Sequence, residues 1–113
     1  MDKDVFDYDK LVESFMGERD IVKEVVLEFL KKVPKQINKI DDAIDMSSFD
    51  VVKFEAHSIK GAAYNMTSKS FGDAARNLEN STKNGNSQNI KDSFELLKNE
   101  FEILQTTLKG INF

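Results

Sequence analysis

Between Ile90 and Leu108 the large apolar residues recur at intervals of 4-3-4-3-4: Ile90, Phe94, Leu97, Phe101, Leu104 and Leu108. That repeat places them all on one stripe of a helix, whereas a strand would scatter them over both faces. A stripe this regular is a bundle seam, and it needs similar stripes to cover it. The rest of the chain supplies them. Val22, Val25, Phe29, Val33, Ile37, Ile40 and Ile44 recur at threes and fours, and no stretch alternates apolar and polar residues long enough for a strand.

Turn and cap residues divide the chain into helices. A short helix is expected from about Tyr8 to Met16, with Asp7 as its N-cap and Gly17 as its stop. A long one follows from about Asp20 to Met46. Pro34 lies inside it and lacks the amide that would bond the Leu30 carbonyl. A kink is therefore expected there, at up to about 3 kcal/mol where packing does not compensate. Ser47 and Ser48 separate it from a third helix, about Phe49 to Met66, and Thr67 or Ser68 caps a fourth running to about Lys83. Asn84-Gly85-Asn86 reads as a turn, Ser87 as the next N-cap, and Gly110 as the stop of the last helix. Four long amphipathic helices with short connections predict an all-α protein, an antiparallel four-helix bundle with the short N-terminal helix capping one end. At 113 residues, a single domain spanning 1–113 is expected.

Composition narrows the chemistry. The chain has no cysteine, which removes disulfides, thiolate nucleophiles and cysteine-based zinc sites. Its single histidine, His57, removes the two-histidine metal motifs, so no metal and no cofactor are expected. The net charge of −4, with bases and acids intermixed, argues against nucleic acid as a partner. No apolar run approaches the roughly 18 residues of a membrane span. The opening Met-Asp-Lys-Asp does not have the profile of a signal peptide, and a cytoplasmic monomer is expected.

The informative segment is the third helix. At about 100° per residue, Val52, Ala56, Ile59, Ala63 and Met66 form its core stripe. His57 lies roughly 140° from the centre of that stripe and Gly61 directly opposite it. Phe54, His57, Gly61 and Tyr64 thus form a second stripe facing away from the bundle. A mid-helix glycine costs about 1 kcal/mol relative to alanine, and a bare backbone on an outer face suits close approach by another molecule. Two outward aromatics are more typical of an interface than of free surface. Lys60 sits one turn after His57 on the same side. Imidazole is a competent nucleophile near neutral pH, and a lysine one turn away could hold the oxygens of a phosphoryl group. One lysine does not make a kinase, and no Gly-rich nucleotide-binding motif is present, so the partner would bring the catalytic site.

His57-Ser58-Ile59-Lys60-Gly61-Ala62-Ala63 resembles the signature of histidine-containing phosphotransfer (HPt) domains of two-component phosphorelays, roughly H-x-[LI]-K-G-[SAG]-[SAG]. His-Ser-Ile-Lys-Gly is especially similar to the phosphoacceptor domains of chemotaxis kinases. The resemblance extends over essentially the whole chain, because that family is a helical bundle of about this length, often with a proline in its long second helix. It implies that His57 is the phosphoacceptor and that Lys60 neutralises and orients the phosphoryl group. Gly61, with the small Ala62 and Ala63, would let the partner's site come close, beside the Phe54 and Tyr64 contacts. Leu78-Glu79 falls where the family carries a Leu-Glu pair, which implies that Glu79 bonds one imidazole nitrogen and leaves the other to attack. The family usually has a glycine ten residues after the histidine, where this chain has Thr67; an N-cap threonine and a changed turn are expected there.

The function expected is that of a phosphorelay intermediate rather than an enzyme in its own right. His57 would exchange a phosphoryl group with an aspartate of a response-regulator receiver domain, and a sensor or hybrid histidine kinase would stand upstream. The alternative is an adapter bundle that binds a receiver domain or kinase without transfer.

Overall fold

A computed structural model describes residues 2–113. Five α-helices make up the described chain: α1 (Tyr8–Ser14), α2 (Arg19–Asp45), α3 (Phe49–Asn65), α4 (Lys69–Ser81) and α5 (Ser87–Lys109). Helix α2 has 27 residues, which at about 1.5 Å per residue matches the 43 Å long axis of the molecule. Helices α2 to α5 run alternately up and down around one core. The turns from α2 to α3 and from α4 to α5 lie at one end. The α3–α4 turn, α1 and the end of α5 lie at the other.

The seam read from α5 is the core: Ile90, Phe94, Leu97, Phe101, Leu104 and Leu108 are all buried. Phe29 of α2, Phe71 of α4 and Phe101 of α5 meet as an aromatic trio with ring centroids 5.4–6.3 Å apart, tying three helices together. The α2 seam differs in detail from its sequence reading. Val22, Val26, Phe29, Val33, Gln36, Ile40, Ala43 and Ile44 are buried, while Val25 and Ile37 are only half-buried beside them. From Val22 to Ala43 the buried positions keep a 4-3-4-3-4-3 spacing, the same seam rhythm as α5, and Val25 and Ile37 fall one residue off it. Gln36 falls on that spacing and lies inside, and its Nε2 donates to Ser58 Oγ on α3 at 2.9 Å. Pro34 lies within the unbroken span of α2, between the buried Val33 and Gln36, whose packing holds the turn that lacks an amide donor.

Three helices end in the same way, and none uses glycine at the critical position. After α1, α2 and α3 the chain places Met16, Ser47 and Thr67 at φ 55°, 54° and 60°. In each case the next amide bonds back across six residues: Gly17 to Val12, Ser48 to Ala43 and Ser68 to Ala63, at 2.8–3.0 Å. These are Schellman endings, where a left-handed residue usually favours glycine. Of the two residues that the sequence offers as the cap of the fourth helix, Thr67 is therefore not the N-cap. It is the left-handed residue of the α3 ending, and Ser68 is the N-cap residue of α4. The Thr67 hydroxyl offsets the strain by donating to the Asp7 carbonyl at 2.9 Å, while the Asp7 amide donates back to the Thr67 carbonyl at 3.3 Å.

That exchange fastens α1 over the end of the bundle. Asp7 caps α1 by accepting from the Lys10 amide at 3.1 Å, and the Asp4 carbonyl accepts from the Ser70 amide in the first turn of α4 at 2.8 Å. Phe6, just before α1, and Leu11 on its inner face are fully buried, and Phe113 packs on Phe6 and Tyr8. At the opposite end α4 stops at Ser81, short of the expected Lys83, because Thr82–Asn84 tightens into a 3-10 turn. Gly85 then takes φ 62°, and Asn86, not Ser87, caps α5 by accepting from the Asn89 amide at 3.1 Å.

Two stability outcomes follow. Leu97→Ala should lower the unfolding free energy by about 2–5 kcal/mol in chemical denaturation, since Leu97 is fully buried at the centre of the seam. Ser47→Gly should raise it by about 0.5–1 kcal/mol, because exposed Ser47 carries the left-handed strain with no side-chain bond comparable to that of Thr67.

Candidate functional site

Helix α3 buries Val52, Ala56, Ile59 and Ala63 and turns its opposite face outward, as its spacing requires. On that outer face the His57 side chain is 67% exposed and Phe54 is 71% exposed. Gly61 is exposed as well, and a Cβ placed on it would meet nothing within 4 Å. No packing within the bundle requires glycine there. Ala63, by contrast, is fully buried in the core, so its small size serves helix packing. Ala62 is half-buried and faces α2, where it lines a cavity of about 460 Å³ with Phe29, Val33 and Met66.

The reversal at Thr67 lays α4 antiparallel to α3 and brings Glu79 alongside His57, 22 residues away in sequence. Glu79 Oε2 lies 2.8 Å from His57 Nδ1, and Oε1 accepts from Lys60 Nζ at 2.7 Å. The Lys60 hydrogen bond, reinforced by the one from His57, holds the Glu79 carboxyl below its ordinary value against the opposing effect of desolvation. An ionised carboxylate can only accept, so the hydrogen in this contact belongs to His57 Nδ1. In the neutral imidazole Nε2 is then the nitrogen that carries the free lone pair, and it belongs to an exposed side chain. Glu79 is itself only 14% exposed, with both oxygens engaged, so it holds the ring in one orientation. Asp50, Lys53, Phe54, His57 and Glu79 border a shallow open depression of about 390 Å³ beside the ring.

Tyr64 is placed differently from Phe54. Its ring folds back on Gly72 of α4 and its hydroxyl donates to Asp73 Oδ1 at 2.6 Å, leaving it 39% exposed. Burial, and then the neighbouring Asp73 carboxylate, push the phenol up from its ordinary value. The Asp73 carboxyl is held down by Lys69 and then by the phenol itself. Gly72, Asp73 and Lys69 were not singled out from the sequence. Their relation to Tyr64 arises only once the α3–α4 pairing is set, although a glycine inside the strongly amphipathic α4 was a legible sign of close approach. The Gln36–Ser58 bond was equally hidden, since a lone glutamine in an apolar stripe carries no signal of its partner. Among the described residues no cluster of three or more histidine, aspartate or glutamate side chains could hold a metal ion. No helix there is long and apolar enough to cross a membrane.

The fold is similar to the crystal structure of histidine-containing phosphotransfer protein B (HptB) from Pseudomonas aeruginosa PAO1, with a TM-score of 0.85 and 21% identity over 92% of this chain and 90% of that one. It is also similar to the HPT domain of the Hpt sensor hybrid histidine kinase from Shewanella, with a TM-score of 0.73 and 14% identity over 99% of this chain and all of that one. A search of curated proteins found no match. The family model for the Hpt domain matches residues 24–107, a span that takes in α3, α4 and almost all of α2 and α5. With well over half of its length matched, the chain belongs to the Hpt domain family.

Proposed function

We propose that His57 accepts a phosphoryl group through Nε2 from the phosphorylated aspartate of a receiver domain and returns it to such an aspartate. The observation that carries this reading is the Glu79 carboxylate on His57 Nδ1 at 2.8 Å, which directs the lone pair of the exposed ring outward at Nε2. In the forward step the Nε2 lone pair attacks phosphorus, the N–P bond forms, and the P–O bond to the aspartate breaks with its electron pair returning to the carboxylate. The ring gains a positive charge and keeps its Nδ1 hydrogen, which remains on Glu79. The carboxylate opposes that charge and no proton needs to move.

Lys60 supports the step from one turn away. Its ammonium rests in the free protein on the same Glu79 carboxylate that holds the ring, and would turn from it toward the incoming phosphoryl oxygens. The open space over Gly61 supports a partner whose active site approaches the backbone of α3, with Phe54 and Tyr64 as contacts on either side and Ala62 at the margin of the approach. The remaining catalytic groups come from the partner. The chain therefore acts as a transfer protein between a receiver domain and an upstream sensor or hybrid histidine kinase.

Incubation with a phosphorylated receiver domain tests this directly. The wild-type chain should gain acid-labile phosphate, and His57→Gln should gain none. Receiver binding without any such gain would instead favour the adapter reading. Glu79→Gln should slow uptake on the order of 10–100-fold, as expected for loss of a charge-assisted hydrogen bond. The same variant has a signature in stability. Because the folded state holds the Glu79 carboxyl low, its contribution is present above the ordinary glutamate value and is lost as pH falls through the lower folded one. The stability difference between wild type and Glu79→Gln should therefore shrink below about pH 4.

A further inference from the structure

Tyr64 lies two turns beyond His57 on the same side of α3, about 10 Å along the helix axis. A phenol this exposed on a helix ordinarily samples more than one rotamer. Here two features of α4 remove that freedom. The ring lies flat against the backbone at Gly72, where an added Cβ would fall 2.3 Å from Tyr64 Cε1, 2.5 Å from Cδ1 and 2.8 Å from Cζ. At its tip the hydroxyl donates to Asp73 Oδ1 at 2.6 Å, while Lys69 Nζ holds the other oxygen of Asp73 at 2.8 Å. Glycine weakens a helix relative to alanine, and the ring it admits is still 39% exposed, so this contact does not complete the core. What it achieves is a fixed pose for an aromatic ring on the face that carries His57, Lys60 and Gly61.

We propose that Gly72 and Asp73 are positioning residues that hold Tyr64 as a preformed anchor for the receiver domain. Recognition of the partner thus depends on two α4 residues that act through the Tyr64 ring. An anchor already in its bound rotamer loses less entropy on association than a mobile one, so the effect belongs to binding and not to the phosphoryl step. The inference rests on the receiver-domain reading above.

The test measures phosphoryl uptake by the full chain at varied concentrations of a phosphorylated receiver domain. Gly72→Ala should raise KM about fivefold, the loss expected when a central aromatic anchor is disturbed, and leave kcat within about twofold. Tyr64→Ala should raise KM at least as much. Adding Gly72→Ala to Tyr64→Ala should change nothing further, because the added methyl then has no ring to displace. Tyr64→Phe, which keeps the ring and loses the Asp73 bond, should raise KM by less, and it decides the matter if Gly72→Ala fails to fold. Wild-type KM in Gly72→Ala, or in Tyr64→Phe should that variant have to decide, overturns the inference and leaves the transfer function standing. So does an equal effect of Gly72→Ala with and without Tyr64. A wild-type chain that takes phosphate from no receiver domain overturns both readings.

Discussion

The α3–α4 reversal is the constraint on which the rest of the molecule depends. Within Met66, Thr67 and Ser68 the chain must change direction by half a turn of the bundle, and it does so through a threonine in the left-handed region. The register set there decides which α4 residue faces which α3 residue. Because of it, Glu79 reaches His57 and Lys60, and Gly72 and Asp73 reach Tyr64. The same threonine bonds Asp7 through its hydroxyl and its carbonyl, so the short first helix is fastened at the point where the register is set. Strain at one residue, local docking of α1 and the geometry of the imidazole are thus parts of one arrangement.

Much of this was legible because helical periodicity reports burial directly. The α5 stripe was read residue for residue, and the angular position of His57 on α3 placed it outside before any pairing was known. The readings that shifted did so for definable reasons. Threonine and serine are both good N-cap residues, so the sequence leaves Thr67 and Ser68 level; only the φ of 60° shows that Thr67 stands where the family's usual glycine would relieve strain. Val25 and Ile37 lost their places to Val26 and Gln36 because apolar identity is a weaker guide than helical phase over 27 residues. Ala62 and Ala63 are adjacent in the signature yet face different surroundings, one beside a cavity against α2 and the other in the core. Pairwise features such as Gln36–Ser58 and Tyr64–Gly72 could not be read at all, since they require the separation and register of two helices at once.

The site divides its work between helices. Helix α3 presents the imidazole, the ammonium and the open backbone, whereas α4 supplies the groups that meet them: a carboxylate for the ring and a glycine and aspartate for the tyrosine. Each of these α4 groups is less exposed than the α3 side chain it controls. Orientation is therefore built into the free protein, and little rearrangement of the bundle is needed when a partner arrives.

The empty space above Gly61 has a consequence for engineering. An alanine would fit there without contact and would favour the helix, so any scheme that ranks substitutions by the stability of the isolated chain would select that position early. The added methyl would stand on the surface left clear beside His57. If a partner approaches the α3 backbone there as proposed, a bundle improved by that criterion would be a better-folded molecule and a poorer phosphoryl carrier, and measurements on the protein alone would record only the improvement.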